Sequence, residues 1–379
     1  VIMLTAQYWG KKDATSIRTL MGIALRISAT AGIIFAAVTF FFSKQVMYIF
    51  TNDSNLVENG VIYLRTVSVT YFCLSVSQVY QALLKSLEHV KTVTTITFIA
   101  LGLNILLNAT FIFGLFGAPK LGLFGVALAT TISRIIELFI SILISKRIKE
   151  VKLSLSAIFC KNKLLTKDFL KYSLPAIGNE FVWGAAWATY SVILGHMGEE
   201  IVAANSVIST IRDLTSVLFF GMAYGGAILL GKQIGSGDLP LAKRNASRLI
   251  KSTTLVGFLS AVILFCLKPV LPLIADLSPL AAHYRDSLLF INCVSSLGAA
   301  INTVLICGVF RSGGDARYGF IVDSIVMWCV SVPLGFLAAF VFKLPPIWVY
   351  ILLYLDELEK MPALIIHYKK GTWLKNITR

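Results

Sequence analysis

Runs of about 20 apolar residues, separated by short polar connections, recur from one end of this 379-residue chain to the other. A helix crossing the ~30 Å hydrocarbon core of a bilayer needs roughly that many residues, and it suits that solvent because it satisfies its own backbone hydrogen bonds. Ten complete spans are expected, near 20–42, 60–84, 92–116, 121–145, 172–196, 203–231, 248–268, 286–309, 318–341 and 346–367. Composition agrees: 57% of residues are hydrophobic, 14% are charged and the mean hydropathy is +0.80, which excludes an ordinary soluble domain. The chain opens on "VIMLTAQYWGKKD", without an initiator Met or signal-peptide architecture, and its first nine residues read as the end of a span already under way.

The net charge of +15 could suggest a nucleic-acid partner, so the placement of the bases decides the matter. With the "QYWGKKD" end placed in the cytoplasm, alternate connections collect 24 of the 34 Lys and Arg, with a dense run from Lys146 to Lys171. Lys44, Lys120 and Lys343 are among the few on the opposite side. The charge therefore follows the positive-inside rule and reports orientation, with the C-terminus cytoplasmic. The six cysteines (Cys73, Cys160, Cys266, Cys293, Cys307 and Cys329) lie mostly within spans without C-x-x-C spacing, as small packing residues do.

The chain also repeats itself. "AQYWGKKD" and "GKQIGSGD" both contain G-x-x-D, at Gly10 and Gly235, and "KSLEHVKT" and "RSGGDARY" both read basic-Ser-x-x-x-x-basic, from Lys85 and Arg311. The offsets are 225 and 226 residues, and the same spacing carries Arg134 onto Lys360. Subtracting it from the span near 172 places a partner before Val1, so twelve spans are expected in all: ten complete and one partial here. Six spans per half give both halves one orientation about an axis along the membrane normal. The domains expected are an N-terminal bundle over 1–147, a basic cytoplasmic linker over 148–171 and a C-terminal bundle over 172–379. "GKQIGSGD" lacks a preceding strand and a G-K-[ST] step, so it reads as a tight turn and not a phosphate loop.

These motifs, with "GVFRSGGDAR", "GLFGVALAT", "SLPAIGNEFVW", "YLDELEK" and "KKGTWLKN", resemble the MATE (multidrug and toxic compound extrusion) transporters in order and spacing over the whole chain. The resemblance implies an all-α polytopic membrane protein of two pseudo-symmetric six-helix bundles in a V. It also implies alternating access, with inward Na+ or H+ flow driving export of organic, often cationic, compounds. Some sodium-coupled members carry a carboxylate eight residues after the corresponding proline, here Trp183. Others carry an aspartate eleven residues before the arginine of the "GVFR" turn, here Ala300, with Asn302 close by. Glu180 lies about one turn from the first of these places. The proton-coupled branch relies on an aspartate in the first span, which falls before Val1.

A carboxylate in mid-membrane costs roughly 2.5–3.5 kcal/mol, so each acid in a span needs a partner or a purpose. Glu180 follows Pro175 by five residues, and the proline should free a backbone carbonyl that could help to ligate a cation. Glu180, Trp183, Trp187 and Ser191 share a helical face, with Asn179 and Tyr190 beside them. This wall suits a lipophilic cation, or Na+ at Glu180; the bland alternative pairs Glu180 with a base on a neighbouring helix. Asp323, with Trp328 five residues on, is a second binding candidate without a basic partner nearby in sequence. Asp213 follows Arg212, and adjacent residues do not face each other on a helix, so each should find a partner elsewhere. Arg134 and Glu137 should neutralise one another. In "LYLDELEKMP", Asp356 and Lys360 should pair while Glu357 and Glu359 stay unpaired locally, as a gate or structural cluster. Tyr71, Ser75, Gln78 and Gln81 form a polar stripe, and Asn104 pairs with Asn108; helix glue explains both as well as a substrate path does.

No H-E-x-x-H or G-x-S-x-G motif is present, and the four histidines are scattered, so neither a catalytic set nor a cofactor is expected. The expected protein is a monomeric plasma-membrane antiporter for organic compounds. The alternative is a lipid-linked oligosaccharide or polysaccharide flippase of the same fold, which would need a cationic cavity.

Overall fold

The computed structural model describes residues 1–50, 53–148, 150–151 and 162–378. They form helices joined by short turns, in two compact units, Val1–Lys167 and Asp168–Arg379. Residues 149 and 152–161 of the expected linker, Cys160 among them, lie outside the described residues. The five described cysteines are free thiols.

The first unit contains α1 (Ile2–Gly10), α2 (Ala14–Phe41), α3 (Ser43–Phe50), α4 (Ser54–Ser86), α5 (Val90–Phe113) and α6 (Gly122–Arg147). Helix α4 is its centre, packed by α2 on one side and α6 on the other. Gly32 makes the α2 contact possible, since a Cβ there would lie 2.2 Å from Ser75 Oγ. On the other side Thr131 donates to the Thr66 carbonyl at 3.0 Å.

The second unit contains α7 (Lys163–Gly195), α8 (Glu199–Gly235), α9 (Leu239–Cys266), α10 (Pro279–Phe310), α11 (Ala316–Val341), α12 (Pro346–Tyr354) and α13 (Asp356–Lys370). Helix α10 is the hub: 67% of its apolar window is buried, more than in any other candidate span among the described residues. It ends in a π-helical segment, Val304–Phe310, of a kind often found at functional sites. At Gly298 a Cβ would meet the Glu357 carbonyl at 2.7 Å, so glycine is what lets α13 reach α10.

Eight helices among the described residues are long and apolar enough to cross a membrane. They match the expected spans at 20–42, 60–84, 92–116, 121–145, 203–231, 248–268, 286–309 and 318–341, most of them starting earlier, by up to nine residues at Leu239. The extensions come from polar caps that hydropathy does not register: Asp13, Asp53 and Asp238 each accept backbone N–H groups at a helix start. The segments expected at 172–196 and 346–367 are helical but fall outside the eight. Helix α7 also starts earlier than expected: Asn162 caps it ten residues before the span at 172, so Lys167, Asp168 and Lys171 belong to the helix. The other breaks at Leu355 into α12 and α13, where Asp356, Glu357, Glu359 and Lys360 interrupt the apolar sequence.

The sequence repeat has a geometric basis. Helix α1 ends at Gly10 and α8 at Gly235; Lys12 (φ 63°) and Gly237 (φ 88°) then turn left-handed, and Asp13 and Asp238 cap the next helix. The other pair behaves alike, with Glu88 at φ 69° and Gly314 at φ 78°. His89 N–H donates to the Leu84 carbonyl and Asp315 N–H to that of Phe310. Burial opposes ionisation of Asp13, yet hydrogen bonds from Ser16 and the Thr15 N–H, with Lys11 nearby, outweigh it and hold the carboxyl below its usual range.

Candidate functional site

Polar side chains of α7, α10, α11 and α13 join in one chain of contacts inside the second unit. Glu180 accepts from Arg311 Nη2 at 2.7 Å, and the same nitrogen donates to Asn179 Oδ1 at 2.9 Å. Asn179 Nδ2 donates to Asp323 Oδ2 at 2.5 Å. Lys360 Nζ stands 3.1 Å from Asp323 and 2.9 Å from Asp356. Exposure falls along the chain, from 51% for the Glu180 side chain through 15% for Arg311 to 1% for Asp356, so it leads from an open end to a dry one. Beside it Asn302 Nδ2 donates both to Glu357 Oε2 at 2.8 Å and to the Glu357 carbonyl at 2.7 Å. Those two bonds depend on the close approach at Gly298.

A small cavity of about 50 Å³ lies among Glu180, Asn179, Asp323, Asn302, Glu357, Lys360 and Arg311, room for a water or a small ion. Asn302 Oδ1, buried in its lining, has no hydrogen-bond partner among the described residues. A second cavity of about 540 Å³ adjoins it and has an organic ligand's dimensions. Trp183, Trp187, Phe219, Phe220 and Tyr354 give it aromatic walls, and Asn205, Asn292, Ser209 and Ser216 add polar points. Trp183, Phe220, Thr303 and Glu357 line both cavities.

Several expectations change against this geometry. Asp323 does have basic company, Lys360, brought to it by the α11–α13 packing rather than by sequence proximity. Glu180 meets Arg311 from the α10 end, the base-on-a-neighbour arrangement. Arg212 and Asp213 do pair, at 3.1 Å, because a long guanidinium folds back along its own helix surface. The same guanidinium donates to Tyr354 Oη at 2.9 Å and lies 4.3 Å from the centre of the Trp187 ring. One aromatic face of the wall thus already carries a cation of the protein's own. Trp183 and Trp187 pack edge to face at 5.9 Å, as their spacing suggests. Tyr190 lines neither cavity; it is a core residue, 1% exposed behind Trp187 and Tyr354. The carbonyl that Pro175 leaves without its helical donor belongs to Lys171, which lines a different cavity from Glu180. Glu357 lines both cavities, and Asp356 and Lys360 pair as expected.

In the first unit Arg134 and Glu137 pair at 2.6 Å, and Gln81 donates to Glu137 at 2.7 Å. Gln78 is exposed while Gln81 is buried, so the polar stripe divides between two environments. Asn108 donates to Asn104 at 3.1 Å. A cavity of about 190 Å³ is lined by Thr97, Asn104, Thr130 and Arg134. By the 226-residue offset, Thr97, Thr130 and Arg134 correspond to Asp323, Asp356 and Lys360. The same three positions are acidic, acidic and basic in the second unit but carry two threonines and a base in the first. The offset itself was the sequence signal that could have singled out Asp323 and Asp356 together.

Long apolar helices enclosing a charged cluster and an adjoining organic-sized cavity define a polytopic membrane transporter. A family model described as MatE matches residues 1–110 and 175–337, and the chain belongs to that family. It is similar to an uncharacterized transporter, YisQ, of Bacillus subtilis, with 23% identity over 98% of this chain and 82% of the relative. A probable multidrug resistance protein, NorM, of Thermotoga maritima is 23% identical over 97% of this chain and 78% of the relative. Among solved structures, a MOP-superfamily transporter from Pyrococcus furiosus superposes with a TM-score of 0.87 at 18% identity, covering 98% of this chain and 82% of that one. An outward-facing multidrug resistance MATE transporter gives 0.85 at 19%, covering 100% and 83%. These likenesses establish the fold.

Proposed function

We propose that the chain is a secondary antiporter of the plasma membrane, with its C-terminus in the cytoplasm, exporting cationic or amphipathic organic compounds in exchange for Na+ or H+ by alternating access as a monomer. The observation that carries this reading is the wall shared by the two cavities: Glu357 and Thr303 face both the ion-sized and the organic-sized space. An ion or proton at Glu357 and a cargo cation beside it compete for one carboxylate, and that competition is what exchange requires. Formal charge supports it, since among the described residues of the cluster the four acids Glu180, Asp323, Asp356 and Glu357 are met by two bases, Arg311 and Lys360. Asp323, Asp356 and Glu357 are buried, and surplus buried acids call for a cation or a proton. The same surplus disfavours a flippase for pyrophosphate-linked precursors, whose cavity would be cationic.

The multidrug resistance names of relatives such as NorM support an organic cargo. The test is efflux of a fluorescent cationic dye from proteoliposomes under an imposed Na+ or proton gradient. Efflux driven by one of the gradients, and abolished by Asp323→Asn or Glu357→Gln, is the expected result. Efflux indifferent to both gradients, or a gradient-driven flux unaffected by both substitutions, refutes the reading.

A further inference from the structure

Away from both cavities just described, a third of about 500 Å³ opens beside the first turns of α7, the α10–α11 turn and the C-terminal segment. Among the described residues its charged lining is Lys171, Arg317 and Lys375 against Asp315. Asp315 is already engaged, 2.8 Å from His367 Nε2 and 4.0 Å from Lys375 Nζ. Lys375 shares Asp315 with His367, so Lys171 and Arg317 are the bases among the described lining residues that leave the space cationic. It is also held in shape: a Cβ on Gly313 would lie 1.7 Å from the Trp373 carbonyl oxygen, and one on Gly314 would lie 3.3 Å from the Tyr172 ring. Trp373 is buried and donates to the Tyr368 carbonyl at 3.2 Å, which fixes the segment that presents Lys375.

The apolar side of the same cavity continues into the membrane. Leu170 and Leu174 line it, and Ile177 and Phe181 follow on the same face of α7 at i+7 and i+11 from Leu170. Exposure along this stripe runs 38%, 58%, 61% and 75%. A cationic seat at the base of an exposed apolar stripe, on the end of the helices richest in Lys and Arg, matches an amphiphile with a phosphate at one end and hydrocarbon at the other.

We infer that this cavity seats the headgroup phosphate of an anionic phospholipid, with its acyl chains along Leu174, Ile177 and Phe181. Arg317 binds the phosphate oxygens from the turn and Lys171 from α7. The bound lipid thereby ties α7 to the turn that begins at Arg311. This assignment rests on the cavity alone and is independent of the transported cargo.

Native mass spectrometry of the full chain released from detergent tests it, with phosphatidylglycerol, phosphatidylcholine and glycerol phosphate as probes. The wild type should retain phosphatidylglycerol about tenfold better than phosphatidylcholine, and Lys171→Gln/Arg317→Gln should lose that preference. Arg317→Lys should keep it, as should Lys243→Gln/Arg244→Gln, which removes equal charge from exposed positions on α9. Leu174→Gln/Ile177→Gln should weaken retention of phosphatidylglycerol without changing its elution or melting. Equal retention of the two lipids, or an unchanged preference in Lys171→Gln/Arg317→Gln, overturns the inference. Displacement of the lipid by glycerol phosphate at equal concentration overturns the lipid as occupant and leaves a site for free phosphate.

Discussion

Lys360→Met removes the ammonium that two buried carboxylates share. Lys360 is 2% exposed, and its Nζ lies 3.1 Å from Asp323 and 2.9 Å from Asp356, themselves 5% and 1% exposed. Methionine keeps most of the stem, so the loss is chiefly charge. Deleting one partner of a buried pair costs about 3–5 kcal/mol. A second route gives the same size: if Asp356 escapes by binding a proton, an aspartate of ordinary pKa about 3.9 spends about 4 kcal/mol doing so at pH 7. That route has a slope. The folded variant then holds a proton that the unfolded chain does not, so its stability rises as pH falls, by about 1.4 kcal/mol per unit. The assay is denaturant unfolding in detergent, followed by tryptophan fluorescence between about pH 5 and 8, for wild type, Lys360→Met and Asp356→Asn/Lys360→Met. The single variant should lose about 3–5 kcal/mol near pH 7 and recover toward pH 5, and the double variant should regain most of the loss. A defect below about 1 kcal/mol, one independent of pH, or a double variant no better than the single one refutes the reasoning.

Further outcomes follow from local geometry. Arg212→Ala should free the Trp187 face from its 4.3 Å guanidinium contact and tighten binding of a cationic dye about two- to tenfold, read by tryptophan quenching, whereas Arg212→Lys should change it little. Gly313→Ala drives a Cβ into the Trp373 carbonyl and should release the C-terminal segment, seen as faster proteolysis after residue 370 and a loss of about 1–3 kcal/mol. Asp13→Ala removes a helix cap and should cost about 1 kcal/mol at neutral pH. Because the Asp13 carboxyl is held below its usual range, that difference should persist into acid where ordinary carboxyls protonate and shrink only as pH falls through its lowered pKa, as unfolding of the two proteins compared at pH 7 and stepwise below the usual carboxylate range would show.

What the sequence discloses depends on how far apart the partners lie. The repeat was readable because glycine and aspartate mark turns through local backbone demands, and both G-x-x-D turns have the same left-handed step and cap. The Arg134–Glu137 and Asp356–Lys360 pairs were readable for the same reason, since one helix brings i, i+3 and i+4 together. Glu180 and Arg311 are 131 positions apart and Asn302 and Glu357 are 55, so only helix packing could bring them together. Arg212 with Asp213 shows the limit of the spacing rule: it holds for Cβ directions, and a four-bond side chain escapes it. Helix α7 began earlier than hydropathy indicated because Asn162 caps it, and capping is silent on a hydropathy scale.

The central claim is that ion and cargo contend for Glu357 at the wall common to the two cavities. Equilibrium binding of a cationic dye to the purified protein, titrated with Na+ and separately with protons, tests this most directly. Competitive displacement by one of the two in the wild type, lost in Glu357→Gln, is the predicted result. Dye binding indifferent to both, or a competition that survives Glu357→Gln unchanged, would contradict it.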